Sequence, residues 1–235
     1  STLLASSAAS DVYKRQVDIC TSNDAHFKVA MAAVEAGKPF NLEKPITLTA
    51  EEADILAKAA QEKNVKNMVC FSYRFKAAAR YAKDLIAQGK IGRVYHVNMQ
   101  YFQAWGLPRA NCPLVWRYVK SRTGTGALGD LGSHALDLVR FVTNKEYTRV
   151  VGHTGTYVHE RPLLDGKGVG KVDVDDFSNY MADMEDEISV SFQITRFAYG
   201  RGNYQRMEIY GSEGAIVYSL DATPAGICLL YTSPS

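Results

Sequence analysis

Residues 17–45, VDICTSNDAHFKVAMAAVEAGKPFNLEKP, decide the fold. Val17–Cys20 is a short apolar run that stops at Thr21-Ser22-Asn23-Asp24, which reads as a strand, a turn and a helix start. Asp24–Ala36 has a helical period, with Phe27, Ala30, Met31 and Val34 on one face and Gly37 as its stop. A second short strand, Pro39–Leu42, runs into Leu42-Glu43-Lys44-Pro45. Further out, the pattern Thr49-x-x-Glu52 opens a helix over Ala50–Lys63 as a capping box, and Asn67–Phe71 makes a third strand. This alternation predicts βαβ units and a parallel sheet, whose ligands sit at the carboxyl ends of the strands. Thr21, Asn23, Glu43, Lys44 and Tyr73 all follow strand ends and are candidate cleft residues.

The pattern changes after a third helix, Ala77–Gln88, which Gly89 ends. Val94–Phe102 alternates as a strand, and the runs at 147–158, 172–184, 188–197, 205–210 and 215–220 resemble it. Successive strands with one long helix between the first two predict an α+β second domain with a large, mainly antiparallel open sheet. Gly200–Asn203 and Gly211–Gly214 carry turn chemistry, and Leu163–Gly170, with three glycines, is expected as an exposed loop.

Within that one helix, Leu131, Ala135, Leu138, Val139 and Val142 share an apolar face, beside a polar stripe of Asp130, His134 and Asp137. One turn separates Asp130 from His134, so the carboxylate can hold one imidazole nitrogen and leave the other for a ligand, which is how a general base is built. The structural alternative is that Asp130 or Ser133 caps the helix and His134 packs. Gly124, Gly126 and Gly129 spell G-x-G-x-x-G, but the preceding WRYVKSRT is charged at three places and is no buried parallel strand. These glycines are expected instead to let the backbone pass close to a ligand or to make a tight turn.

Composition narrows the class. A chain of 235 residues, 46% hydrophobic, can bury a core, and a net charge of +2 without basic runs points away from nucleic acid. No run of eighteen apolar residues suggests a membrane span. Cys20, Cys70, Cys112 and Cys228 are scattered and form no C-x-x-C pair, so neither a metal site nor a disulfide framework is expected, and a reducing, cytoplasmic setting is the default. Asp175 and Asp176 are adjacent on a strand and point to opposite faces, so they read as structural rather than metal-binding. The terminal runs DVYKRQ and CLLYTSPS resemble translated adaptor sequence at the edges of gene fragments, so residues 1–16 and 227–235 are expected to be non-native.

The pieces in this order resemble the Gfo/Idh/MocA oxidoreductases. The resemblance covers about Val17–Leu220 and rests on residues 17–45 ending in E-K-P, on Y-R-F at 73–75, IGRVYHV at 91–97, Trp116-Arg117, GALGDLGSHALDL at 126–138, and the late EIYGSEG. It implies a dinucleotide-binding Rossmann domain over 17–75, here partial, and a substrate domain over 76–226 whose open sheet often carries a homo-oligomer interface. It also implies NAD or NADP as cofactor, and hydride transfer between the nicotinamide and a hydroxyl carbon of a sugar, inositol or related polyol.

Carried over residue by residue, the resemblance places Lys44 beside nicotinamide and substrate, with Asp130 and His134 completing the catalytic set. His134 is then the base, Asp130 orients it, Lys44 polarises the oxygen and Tyr73 lies on the substrate side. Thr21, Asn23, His26, Glu43 and Lys44 would hold the dinucleotide, with Trp116 and Arg117 approaching it from the second domain. Each has a structural alternative: a solvated Lys44, a packed His26, a core Trp116, an ion-paired Arg117.

Three departures stand out. The glycine-rich phosphate loop would precede Val17 and is not in this sequence, relatives' T-P-N is Thr21-Ser22-Asn23, and a charged turn, Glu185-Asp186-Glu187, replaces a glycine turn. Competing readings are an NAD-dependent glycoside hydrolase of the same fold, and a non-catalytic nucleotide-binding module. Specificity is expected in the loops Phe102–Leu114 and Arg161–Gly170.

Overall fold

The first strands pair as their order requires. β1 (Val17–Ile19), α1 (Asn23–Glu35), β2 (Phe40–Leu42), α2 (Ala50–Glu62) and β3 (Asn67–Val69) follow in turn. The strands lie parallel in the order β1-β2-β3, with Val17 opposite Phe40 and Phe40 opposite Asn67. This is a computed structural model, and it describes residues 15–221 and 226–232; most of the 1–16 segment expected to be non-native lies outside them.

The buried stripe of α1 is not the one the sequence suggested. His26, Val29, Ala30, Ala33 and Val34 face the core, at the i, i+3, i+4, i+7, i+8 spacing, while Phe27 and Met31 pack at its flank. The small alanines on the buried stripe let the helix approach the sheet closely, and the larger side chains are displaced to its margin. At α2 the Thr49 hydroxyl accepts the Glu52 amide at 3.2 Å, and the Glu52 carboxylate accepts the Leu48 amide at 3.2 Å. The capping box forms, with its return bond one residue upstream of the cap.

The chain divides into two units, and their limits correct the sequence boundaries. The first is residues up to 71 together with 115–125; the second is 72–114 and 126 onward. Trp116 and Arg117, expected to come from the second domain, therefore belong to the first unit. The cause is a set of bonds to α1. Asn23 Nδ2 donates to the carbonyl and hydroxyl of Thr123 at 3.0 and 3.2 Å, and Arg122 pairs with Asp24 at 2.7 Å.

In the second unit α3 (Ala77–Ala87) precedes β4 (Val94–Phe102), and a wide π-turn, Leu128–Gly132, leads into α4 (Ser133–Thr143). There follow β5 (Tyr147–Gly155), the short hairpin β6 (Glu160–Pro162) and β7 (Val169–Lys171), then β8 (Phe177–Met184), β9 (Ser189–Thr195), β10 (Tyr204–Gly211), β11 (Ala215–Ser219) and β12 (Ile227–Tyr231). Seven of these make one sheet, β12-β11-β10-β4-β9-β8-β5, antiparallel throughout except for the β4–β9 pair. Its inward positions Val97, Met99, Val190, Phe192, Ile194, Met207 and Ile209 are fully buried in one core with Leu131, Ala135, Leu138, Val139 and Val142 of the helical stretch. That helix face is the one its period predicted.

Residues 227–231, expected to be a non-native tail, pair in register with β11, Ala215 opposite Tyr231 and Ser219 opposite Ile227. The 163–170 loop is the tip and return of the β6–β7 hairpin, and Arg161 at its base is buried.

Candidate active site

The helix that carries His134 begins earlier than its apolar period suggested, and its cap comes from elsewhere. Asp175 accepts the Gly126 amide at 2.6 Å and the Leu128 amide at 2.7 Å through its two carboxylate oxygens. Neither Asp130 nor Ser133 caps it. Gly126 is required because a Cβ there would lie 1.8 Å from the Asp175 carbonyl oxygen, so the close approach is to the chain itself. The adjacent acids do point apart, since Asp176 turns the other way and accepts the Tyr157 and Val158 amides at 2.8 and 3.1 Å.

The π-turn adds a residue to the helical repeat, so Asp130 leaves the simple i, i+4 register read from sequence. One carboxylate oxygen accepts from Arg196 Nη2 at 3.1 Å, a partner that the sequence did not suggest. His134 is buried in the first turn of α4. The Tyr73 ring meets it edge-on with centroids 4.8 Å apart, and Tyr101 lies 6.3 Å away. Asp137, the third member of the stripe, is taken by Arg74, whose Nε donates to it at 2.7 Å while Nη2 binds the other oxygen.

Beyond the tyrosines runs a connected set of polar groups. The Tyr73 and Tyr101 hydroxyls are 2.7 Å apart, Asn203 Oδ1 accepts from Tyr101 at 2.7 Å and from Gln103 Nε2 at 2.9 Å, and Trp105 Nε1 donates to Gln103 Oε1 at 2.6 Å. Burial, then the neighbouring Tyr73, pushes the Tyr101 hydroxyl well above its usual range, so it serves as a neutral donor. Tyr101, Gln103, Trp105, Asn203 and Arg196 were all missed from sequence. Parity offered a signal for two of them: Tyr101 and Arg196 continue the inward positions of β4 and β9, where a polar head needs a buried partner. The two loops expected to carry specificity are clipped together, because Arg161 donates to the carbonyls of Gly106 and Cys112 at 2.5 and 3.2 Å, and the Leu114 amide donates to Pro162 at 2.8 Å.

In the first unit, Thr21 follows β1 and Glu43 and Lys44 follow β2, at the carboxyl ends of parallel strands where such sheets bind ligands. The Glu43 amide is tied to Ile19 at 3.0 Å, and Glu43 and Lys44 are both half-buried. The Thr21 hydroxyl is buried without a hydrogen-bond partner among the described residues, which fits a polar ligand at this edge.

His26 needs correcting as a cofactor contact. It is fully buried, and its ring nitrogens meet the Pro45 and Thr21 carbonyl oxygens at 2.8 and 3.2 Å, so it braces the two loops and has no face for a ligand. Asn23, also buried, gives its amide to Thr123. Trp116 is half-buried and lies under the Arg117 guanidinium at 4.4 Å, with Arg117 exposed.

Comparison with known proteins gives the family. Residues 79–217 match the GFO/IDH/MocA C-terminal domain, and residues 6–71 match the oxidoreductase family with an NAD-binding Rossmann fold. The chain is 39% identical over 217 residues to levoglucosan dehydrogenase of Pseudarthrobacter phenanthrenivorans, covering 87% of this chain and 55% of that protein. It is 30% identical over 216 residues to inositol 2-dehydrogenase of Rhizobium meliloti, covering 92% and 59%. A solved levoglucosan dehydrogenase in complex with NADH superposes with a TM-score of 0.90 at 38% identity, covering 97% of this chain and 60% of that one. The chain thus spans somewhat more than half the length of the relatives it matches. Strand order, the half-buried Lys44 after β2, the helix bearing His134 and these matches together place the chain in the GFO/IDH/MocA family of oxidoreductases.

Proposed function

We propose that the chain forms part of an NAD(P)-dependent dehydrogenase that moves hydride between the nicotinamide and a hydroxyl carbon of a sugar, inositol or related polyol. The observation that carries this reading is the setting of His134. It is buried against Tyr73, just after the π-turn that holds Asp130, beside a cluster rich in hydroxyl and amide groups. A polyol offers many hydroxyls that both donate and accept, and Tyr73, Tyr101, Gln103 and Asn203 provide complementary partners. The levoglucosan and inositol dehydrogenases among its relatives support the same substrate class.

Roles follow from the chemistry of each group. When bound, the dinucleotide supplies the hydride acceptor or donor. Thr21, Glu43 and Lys44 hold it at the carboxyl ends of β1 and β2, while Asn23 and His26 fix the loops that carry those contacts, and Trp116 with Arg117 adds an aromatic and cationic surface. His134 takes the hydroxyl proton as hydride leaves carbon, Asp130 steadies the imidazole, and the positive charge of Lys44 favours the developing alkoxide. We place the enzyme in the cytoplasm, in keeping with four free cysteines, and assign it a homo-oligomer. The uncovered sheet face supports the latter, where Phe102 stacks on Tyr204 and Met181, Tyr210 and Leu229 are exposed.

The test is nicotinamide absorbance with NAD or NADP across a panel of anhydrosugars, inositols and sugar acids, using the whole protein that contains this chain. Lys44→Ala and His134→Ala should each lower turnover by about 10²–10⁴-fold. Glycoside cleavage without net change in NAD(P)H would replace this reading with the hydrolase, and nucleotide binding without turnover of either kind with the binding module.

A further inference from the structure

We infer that Arg196 is the positioning residue for Asp130, joining the turn before His134 to the segment that follows β4. The inference rests on the proposed roles of Asp130 and His134. It starts from parity. Val190, Phe192 and Ile194 are the inward positions of β9, and Arg196 continues the series with a side chain fully buried where an apolar residue would be expected. A buried guanidinium is strongly unfavourable unless it is paired.

Among the described residues, Asp130 and Trp105 meet its side chain. Asp130 Oδ2 accepts from its Nη2 at 3.1 Å, and its guanidinium lies over the Trp105 ring at 4.7 Å. The backbone repeats the connection. The Gly106 amide donates to the Arg196 carbonyl at 3.0 Å, and a Cβ on Gly106 would come within 2.8 Å of Arg196 Cβ, so only glycine lets the two strands of chain close to this distance. The Arg196 amide donates to the Asp176 carbonyl at 3.1 Å, next to the residue that caps the His134 helix.

Arg196, one residue beyond β9, thus meets three segments: its side chain reaches Asp130 of the π-turn and the Trp105 ring, and its backbone bonds to Gly106 and Asp176. The Tyr73 and Tyr101 rings lie against His134, and Asp130 stands in the π-turn that leads into its helix, with Arg196 bonded to the carboxylate. Asp137, one turn on, is engaged by Arg74. Arg196 shares the charge of Asp130 and sets its direction, so its influence reaches the imidazole through the carboxylate.

The experiment follows the His134 imidazole by NMR pH titration in the 235-residue chain, with Arg196→Gln, Asp130→Asn and the double variant. In a Trp116→Phe background, the emission of the remaining tryptophan, Trp105, is read alongside. Arg196→Gln should raise the His134 midpoint by about half a pH unit or more, because the carboxylate charge is no longer shared. The double variant should remove that rise. Trp105 emission should move to the red in Arg196→Gln and stay in place in Asp130→Asn. If Arg196→Gln does not fold, Arg196→Lys keeps the charge without the planar fork and should shift both readings in the same directions by less. An unmoved His134 midpoint, or a shift that is the same with Asp130 present or replaced, overturns the inference. Neither reading needs cofactor or sugar, so this outcome is separate from the fate of the dehydrogenase proposal, which the sugar panel decides. In the whole enzyme, Arg196→Gln should lower kcat roughly ten- to a hundredfold with KM little changed.

Discussion

Asp175 holds Gly126 at the entrance to the His134 helix by one hydrogen bond and by close packing: its carboxylate accepts the Gly126 amide at 2.6 Å and its carbonyl lies where a Gly126 Cβ would stand. A helix end whose first amides are met by a residue 49 positions further on is fixed by tertiary structure, and the π-turn with Asp130 inherits that constraint.

Removing the cap should therefore loosen the turn. Asp175→Ala is expected to lower unfolding free energy by about 1–3 kcal/mol, and Asp175→Asn by less, since one acceptor remains. Gly126→Ala should cost more than either, because its methyl group meets backbone rather than a flexible side chain. Urea unfolding midpoints give the ranking, and an unaffected Gly126→Ala protein would contradict the packing described here.

The Arg74–Asp137 pair predicts coupling. The carboxylate is only 7% exposed at its side chain and receives two guanidinium nitrogens, while Arg74 is about one-third exposed. Arg74→Gln should cost about 1–3 kcal/mol, less than a fully buried pair because solvent screens the arginine side. Arg74→Gln with Asp137→Asn should cost less than the sum of the single changes, which a double-mutant cycle in urea measures. Strict additivity would show that the pair contributes nothing.

The charged turn between β8 and β9 offers a stabilising change. Asp186 and Glu187 both hold left-handed backbone, at φ 58° and 62°, the pattern of a tight hairpin turn that favours glycine at the second place. Glu187→Gly should remove about 1 kcal/mol of backbone strain and raise Tm by about 2–4 °C. The exposed Arg93–Glu187 pair that it deletes contributes little. A lower Tm in a calorimetric scan would mean that the ion pair outweighs the strain.

Much of the fold was legible because it is written in local periods. The βαβ order of residues 17–69 and the apolar face of Leu131, Ala135, Leu138, Val139 and Val142 follow from spacing alone. The site was legible only where one stretch carries it, as with Asp130 and His134. Arg196, Asn203 and Gln103 come from separate segments, and nothing in their neighbours marks them until the sheet closes. The same reason hid the return of residues 115–125 to the first unit, since Asn23 and Thr123 are 100 positions apart. For His26 the family resemblance suggested a cofactor contact and the residue's own setting left packing open; both its nitrogens meet the loops that carry Thr21 and Pro45.

Buried tyrosines set the response to alkali. Burial, as the first cause in each case, holds the hydroxyls of Tyr101, Tyr147, Tyr180 and Tyr218 well above their ordinary range; Tyr73 adds to this for Tyr101 and Tyr180 for Tyr147. In the unfolded chain the same groups ionise near pH 10. Above that pH the folded protein keeps protons that the unfolded chain has lost, so the pH derivative of unfolding free energy is negative. The contribution is fully present below about pH 10 and is lost as pH rises beyond it. The tyrosinate absorbance of these four residues should therefore appear as a jump when the near-UV circular dichroism collapses. Tyr101→Phe should make the loss of stability with pH less steep. A single smooth titration of all tyrosines with the dichroism intact would show that these hydroxyls are open to solvent, and would remove the buried Tyr73–Tyr101 pair from the site.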